Sequence, residues 1–142
     1  MTIGNMAGGD HFANLLVEQE KWRGLMKIKK WLGHEFESSS SRTPEYLAWH
    51  RDFKAAIKQQ LPAGATLIFS KPNHFDASGF VKLGEKYVYF SVSDIRFWQD
   101  EWFRNILIRT AKSDKDYTGG RNCYTTFNDF TTNVERLFLE AN

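Results

Sequence analysis

Apolar residues in the first third of the chain recur at helical spacing. From Asp10 to about Gly33 the pattern predicts a helix, with Asp10 as its N-cap and Gly33 as its end. Because these apolar residues point in two directions, we expect a bend or break near Gly24, or burial on several sides. Residues 1–9 are rich in glycine and are predicted to form a flexible N-terminus.

The signals for a second helix are clearer. Thr43 is the predicted N-cap, Pro44 fits the first turn, and Pro62 and Gly64 follow the last turn. The apolar residues of this helix form one stripe at helical spacing, together with one histidine: Tyr46, Trp49, His50, Phe53, Ile57 and Leu61.

After this helix the spacing of apolar residues becomes alternating, which predicts four strands. The segments are ATLIFS, FDASGFVKL, KYVYFSVSD and RNILIRTAK. A tight turn at Gly84 and Glu85 joins the second strand to the third. Alternation in the third strand gives a core face that carries Val88, Phe90 and Val92.

The last element is a helix that begins near Thr126. Its predicted core stripe comprises Phe127, Phe130, Val134, Leu137 and Phe138. The order of elements predicts an α+β fold, a four-stranded antiparallel meander packed with two N-terminal helices and one C-terminal helix. We expect a single domain over residues 10–142.

Composition narrows the class of protein. The 142 residues are 42% hydrophobic and 25% charged, which is typical of a folded domain, and no apolar run is long enough for a membrane span. The net charge of +2 is too small to indicate nucleic-acid binding by itself. With one cysteine, no signal peptide and no cofactor or metal motif, we expect a soluble, cytoplasmic protein without a cofactor.

The stretch RTAKSDKDYTGGRN, Arg109 to Asn122, contains a loop longer than most connections in a compact domain. As a binding loop it would use Lys112, Lys115 and Arg121 against phosphates or acidic side chains, and Tyr117 to stack on a base. As an ordinary turn, it would have its lysines neutralised by its own two aspartates. The sequence supports both interpretations.

The second candidate site is the sheet face opposite the core. Tyr87 and Tyr89 of the third strand are expected near Leu107 and Arg109 of the fourth, as a platform suited to single-stranded nucleic acid or a peptide. The alternative, which we favour at this point, is that the first helix covers this face and makes both tyrosines core residues.

The third candidate site is FWQDEWF, where Trp98 and Trp102 lie one helical turn apart. Exposed tryptophans are frequent hot spots of protein interfaces, whereas in a connector they often plug the core instead. His74 and Asp76 are the only pair that resembles a catalytic or metal constellation, and a hydrogen-bonded turn explains them better. We therefore predict neither a catalytic residue nor a metal ligand.

The segments KPNHFDASGF, YVYFSVSDIR and ILIRTAKSDKDYTGGRN, within residues 70–122, resemble small uncharacterised proteins carried by bacterial phages and integrative elements. Proteins of this origin often block a host defence complex, as anti-CRISPR proteins do, or handle the nucleic acid of the element. The resemblance implies a non-enzymatic accessory protein that docks on a host protein or nucleoprotein complex. The alternatives are a direct DNA- or RNA-binding protein and, last, a small hydrolase around His74 and Asp76.

Overall fold

The structure, a computed structural model, describes residues 2–31, 34–36, 43–69, 77–92 and 106–140. The fold is α+β, with three helices and an antiparallel sheet in the described residues. The helices are α1 (Thr2–Lys29), α2 (Pro44–Lys58) and α3 (Phe130–Glu140). The strands are β1 (Thr66–Phe69), β2 (Ala77–Leu83), β3 (Lys86–Val92), β4 (Ile106–Ala111) and β5 (Cys123–Thr125).

The sheet is a meander in which strands that follow one another in sequence are antiparallel neighbours, in the order β1-β2-β3-β4-β5. The prediction of four strands is therefore wrong, because β5 adds a fifth along the edge of β4. Cys123 pairs with Ile108, and Thr125 pairs with Ile106. Three residues are too few for alternation to be recognised in a sequence, so backbone pairing with β4 is what makes this segment a strand.

One face of the sheet carries the core. Val88, Phe90 and Val92 are fully buried there, as alternation predicts. The helix α3 packs against β3 and β4, and the ring of Phe130 meets Phe90 edge-on at 5.9 Å between centroids. Phe53 of α2 lies on the same side.

The helix α2 has the predicted cap and the predicted buried stripe. The hydroxyl oxygen of Thr43 accepts a hydrogen bond of 3.2 Å from the backbone N–H of Tyr46. This contact satisfies one of the amides that a helix leaves without an intrahelical partner at its N-terminus.

The helix α1 packs along α2. It begins at Thr2, ahead of the predicted start at Asp10, and continues through Gly24 without the predicted break. Gly24 lies where the two helices are closest, since a Cβ atom there would stand 3.3 Å from Cα of Ala56. Glycine at this position is explained by close packing.

None of the helices among the described residues is both long and apolar enough to cross a membrane. The predicted strand ends beyond residues 69 and 92 lie outside the described ranges, as does the predicted linker at residues 37–42.

Candidate functional site

The sheet face opposite the helices carries the tyrosines predicted from alternation, and we call it the tyrosine face. Strand register places Tyr89 between Phe80 of β2 and Arg109 of β4 in one row across the sheet. In the next row Tyr87 lies between Lys82 and Ala111. The prediction that Tyr89 and Arg109 are neighbours is confirmed.

Arg109 links the tyrosine face to the loop that follows β4. Its guanidinium carbon lies 4.4 Å from the centroid of the Tyr89 ring, which is a cation–π contact. The same guanidinium donates hydrogen bonds to the carbonyl oxygen of Tyr117 and, at 3.3 Å, to Oδ1 of Asn122. Arg109 therefore holds both ends of residues 117–122 and is engaged within the protein.

Tyr117 returns from the loop and packs onto the tyrosine face. Its ring centroid is 5.3 Å from that of Phe80 and 5.8 Å from that of Tyr89, with both pairs edge-on. Phe80 is only 1% exposed although it lies opposite the core, whereas Tyr117 keeps 50% of its surface exposed. The result is a ring that is fixed on one side and open on the other.

Asp116 organises the backbone of the loop. Its carboxylate accepts hydrogen bonds from the backbone N–H groups of Lys112 at 2.9 Å, Gly119 at 2.8 Å and Thr118 at 3.3 Å. The hydrogen bond from Lys112 is the main reason why the pKa of Asp116 lies below its usual value, against a smaller opposing effect of desolvation. Asp116 thus binds backbone amides, which the interpretation as a charge-neutralised turn did not anticipate.

At both glycines of the loop, other atoms of the protein lie too close to leave room for a side chain. Gly120 has a φ of 76°, and a Cβ atom there would collide with the carbonyl oxygen of Thr110. A Cβ atom at Gly119 would collide with the carboxylate of Asp116. The glycine pair lets the loop close back on β4, so it needs no ligand to explain it.

The charges around this surface are unequal. On the tyrosine face, the strand residues that the structure describes include two cations, Lys82 and Arg109, and no carboxylate. The loop adds three exposed cations, Lys112, Lys115 and Arg121, beside its two aspartates. A negatively charged ligand is therefore favoured here over a positively charged one.

The described part of α1 packs on α2 rather than on the tyrosine face, so the interpretation favoured from sequence is wrong. Among its described residues, Gly24 lies against Ala56 of α2 and Ile28 belongs to the core, on the other side of the sheet. Tyr87 and Tyr89 remain partly exposed, and the described residues that contact the Tyr89 ring include Arg109 and Tyr117.

Two members of this surface were missed from sequence. The sequence placed Phe80 in a strand but did not assign it to a face of the sheet. Tyr124 lies in β5, the strand that was not predicted, where it pairs with Leu107 and is 49% exposed. The spacing between Phe80 and Gly84 would have placed Phe80 opposite the core, because residues of a hairpin alternate from its turn.

The remaining candidates lie outside the described residues. These are Trp98 and Trp102 of the aromatic connector, and the His74 and Asp76 pair. In the ranges that the structure does describe, no three His, Cys, Asp or Glu side chains lie close enough together to hold a metal ion.

The sequence matches no protein-family model, and it has no significant similarity to a curated protein or, as a fold, to a solved structure. Function is therefore inferred from the surface itself.

Proposed function

We propose that this protein is a non-enzymatic binding protein that holds single-stranded nucleic acid on its tyrosine face. The observation that carries the proposal is Tyr117, a half-exposed ring held on Phe80 and Tyr89 beside exposed cations. A ring that is already fixed loses little conformational freedom when a base stacks on it, so most of the stacking free energy contributes to binding.

The exposed cations of the loop supply the second part of the proposal. Lys112, Lys115 and Arg121 are exposed beside the tyrosine face, at a distance from the core. A phosphate backbone would meet them while its bases reach the aromatic rings, which is the usual division of roles in single-strand binding. A double helix keeps its bases stacked inside, so a single strand is the better ligand.

Arg109 has a supporting role in this proposal. Its guanidinium already stacks on Tyr89 and donates to Tyr117 and Asn122, so it positions the loop and has fewer donors left for a phosphate. The proposed ligand contacts are therefore Tyr117 and the three loop cations, which were candidates from sequence. Tyr124, which was not, is the fifth.

The test is fluorescence anisotropy with labelled single-stranded RNA and DNA of mixed sequence, with a duplex for comparison. Three phosphate contacts on a single strand predict binding roughly 20-fold weaker at about 200 mM than at about 50 mM salt. The variant Tyr117→Ala is expected to lose about 5-fold to 150-fold in affinity, because one stacked base contributes about 1–3 kcal/mol. Tyr117→Phe keeps the ring and should bind like the natural protein.

A matched pair of charge reversals separates this site from non-specific attraction. The double variant Lys115→Glu with Arg121→Glu should abolish binding. The control is Lys58→Glu with Arg136→Glu, at two exposed residues of the helices. It changes the net charge by the same amount and should leave binding intact. An equal loss in both double variants would contradict the assignment to the tyrosine face. No binding to any nucleic acid at low salt would overturn the proposal and favour docking on a host protein.

A further inference from the structure

The helix α1 presents three large apolar side chains whose surface is about half exposed. Leu15, Trp22 and Met26 are 47%, 61% and 42% exposed. At 3.6 residues per turn they fall within about 40° on the helix surface, directly opposite Gly24. Because Gly24 faces α2, this line of residues lies on the side of α1 away from Ala56, with Trp22 at the edge of a groove that α1 forms with Thr131 and Glu135 of α3.

The spacing of this line is that of a coiled-coil seam. Leu15, Gln19, Trp22 and Met26 follow one another by four, three and four residues, which are the intervals between the a and d positions of a heptad. We call these four residues the α1 stripe. Gln19 is also exposed, so the stripe is continuous at the surface.

Every side chain of α1 that the structure describes from residue 13 to residue 20 is exposed. A helix derives most of its stability in a protein from packing of an apolar face, so a long helix with exposed Leu15 and Leu16 needs a partner surface.

The flanks of the stripe indicate what that partner is. Glu18 and Arg23 lie on opposite sides of the stripe, five residues apart, at the g and e positions of the heptad. When two copies of such a helix pair in parallel, Glu18 of each copy faces Arg23 of the other, and two-fold symmetry makes the contact twice. In an antiparallel pair, Glu18 of one copy would instead face Glu18 and Leu25 of the second copy, neither of which carries a positive charge.

We propose that two copies of this chain associate through the α1 stripe as a parallel two-helix coiled coil. Leu15, Trp22 and Met26 each meet their symmetry mates across the seam. Gln19 meets Gln19 of the second copy and fixes the register, as a single polar residue at an a position does. The stripe belongs to α1 and the nucleic-acid site to the sheet, so this proposal stands or falls independently of the proposed function.

The first experiment is a mass measurement by light scattering across a concentration series. The natural protein is expected at the mass of two chains, and Trp22→Glu at the mass of one chain at the same concentration, with the dissociation constant raised about tenfold or more. Leu15→Glu is a second variant with the same expectation, since Leu15 is 47% exposed and the described side chains from residue 13 to residue 20 are all exposed. Leu139→Glu is the control, because Leu139 is the most exposed large apolar side chain on α3, at 82%, and lies outside the stripe.

Charge exchange tests the parallel direction. Glu18→Arg and Arg23→Glu should each weaken the dimer, and the two together should restore it, because the exchanged pair again has opposite signs. In a Cys123→Ser background, Gln19→Cys should form a disulfide between copies on oxidation, whereas Glu20→Cys should not. A one-chain mass at every concentration, or a two-chain mass that Trp22→Glu and Leu15→Glu leave unchanged, would overturn the proposal. Failure of the charge exchange together with failure of the disulfide would overturn the parallel arrangement.

Discussion

At the scale of single residues, Asp116 determines the shape of the loop next to the tyrosine face. Its Oδ1 accepts from Thr118 and Gly119, and its Oδ2 accepts from Lys112. The carboxylate therefore joins the end of β4 to the glycine turn. Because these hydrogen bonds lower the pKa of Asp116, it stays ionised at neutral pH and loses this role only as the pH falls through that lowered pKa.

Replacing Asp116 tests this role directly. Asp116→Ala removes three acceptor contacts, and we expect faster hydrogen exchange at the amides of Lys112, Thr118 and Gly119, measured by NMR. Asp116→Asn keeps one oxygen and should expose mainly the amide of Lys112. Since the loop lies outside the core, the melting temperature should change little in both variants. Unchanged exchange at all three amides in Asp116→Ala would contradict the assignment.

His50 is a buried histidine that is held neutral. It is 7% exposed, and its ring meets Phe69 edge-on at 4.9 Å. Burial first, and then the charge of Lys54, lowers the pKa of His50 from 6.5 to about 4. Its Nε2 has no hydrogen-bond partner among the described residues.

The pKa of His50 predicts how stability depends on pH. Between pH 6.5 and about 4 the unfolded chain binds a proton at this histidine that the folded chain does not bind. The free energy of unfolding should therefore fall by about 3 kcal/mol as the pH decreases through this range. Urea unfolding of the natural protein and of His50→Leu at several pH values isolates the effect, because the carboxylates titrate in both. Parallel pH profiles for the two proteins would exclude it.

At the scale of elements, the packing of α1 on α2 depends on Gly24, which has no side chain. Gly24 brings the two helices together at Ala56 and Gln59, and Ile28, one turn further along α1, is buried in the core. The same glycine that suggested a break in the sequence is thus the contact that attaches α1 to the domain. The packing on α2 compensates for the poor helix propensity of glycine, about 1 kcal/mol relative to alanine.

Two substitutions at Gly24 should have different effects. Gly24→Ala adds a Cβ atom 2.9 Å from Oε1 of Gln59 and 3.3 Å from Ala56. Because the end of the Gln59 side chain can move and alanine has the better helix propensity, we expect stability within about 1 kcal/mol of the natural protein. Gly24→Leu has to force the helices apart and should destabilise the protein by about 1–3 kcal/mol. Thermal unfolding measures both, with Lys27→Leu as a control at an exposed position of α1. Equal stability for Gly24→Leu and Lys27→Leu would show that the helices are not in close contact here.

At the scale of the whole molecule, the helices that contact the sheet lie on one side of it, and this leaves two surfaces for ligands or partners. The tyrosine face lies on the opposite side of the sheet, and the α1 stripe lies on the side of α1 that is turned away from Ala56 of α2. A dimer through the stripe would therefore leave both tyrosine faces accessible. Two copies that bind one strand would gain affinity from the raised effective concentration of the second site.

The sequence by itself determined most of the elements and, for α2, β3 and α3, which face is buried. The periods of 3.6 and 2 are local properties of the backbone, so the stripe of α2 and the alternation of β3 identified core residues such as Trp49 and Phe90 without knowledge of their partners. Caps and turns are also local, and Thr43 and Gly84 were predicted for the same reason.

Only the tertiary structure decided what covers each face. The strand β5 exists because Cys123 to Thr125 pair with β4, and α1 lies on α2 because Gly24 permits close contact. The tyrosine face is covered in part by Tyr117, which Arg109 and Asp116 bring back over the sheet through contacts that no periodic pattern encodes. Long-range pairing depends on the relative positions of distant segments, and a pattern of apolar residues specifies that a face must be buried without specifying by what.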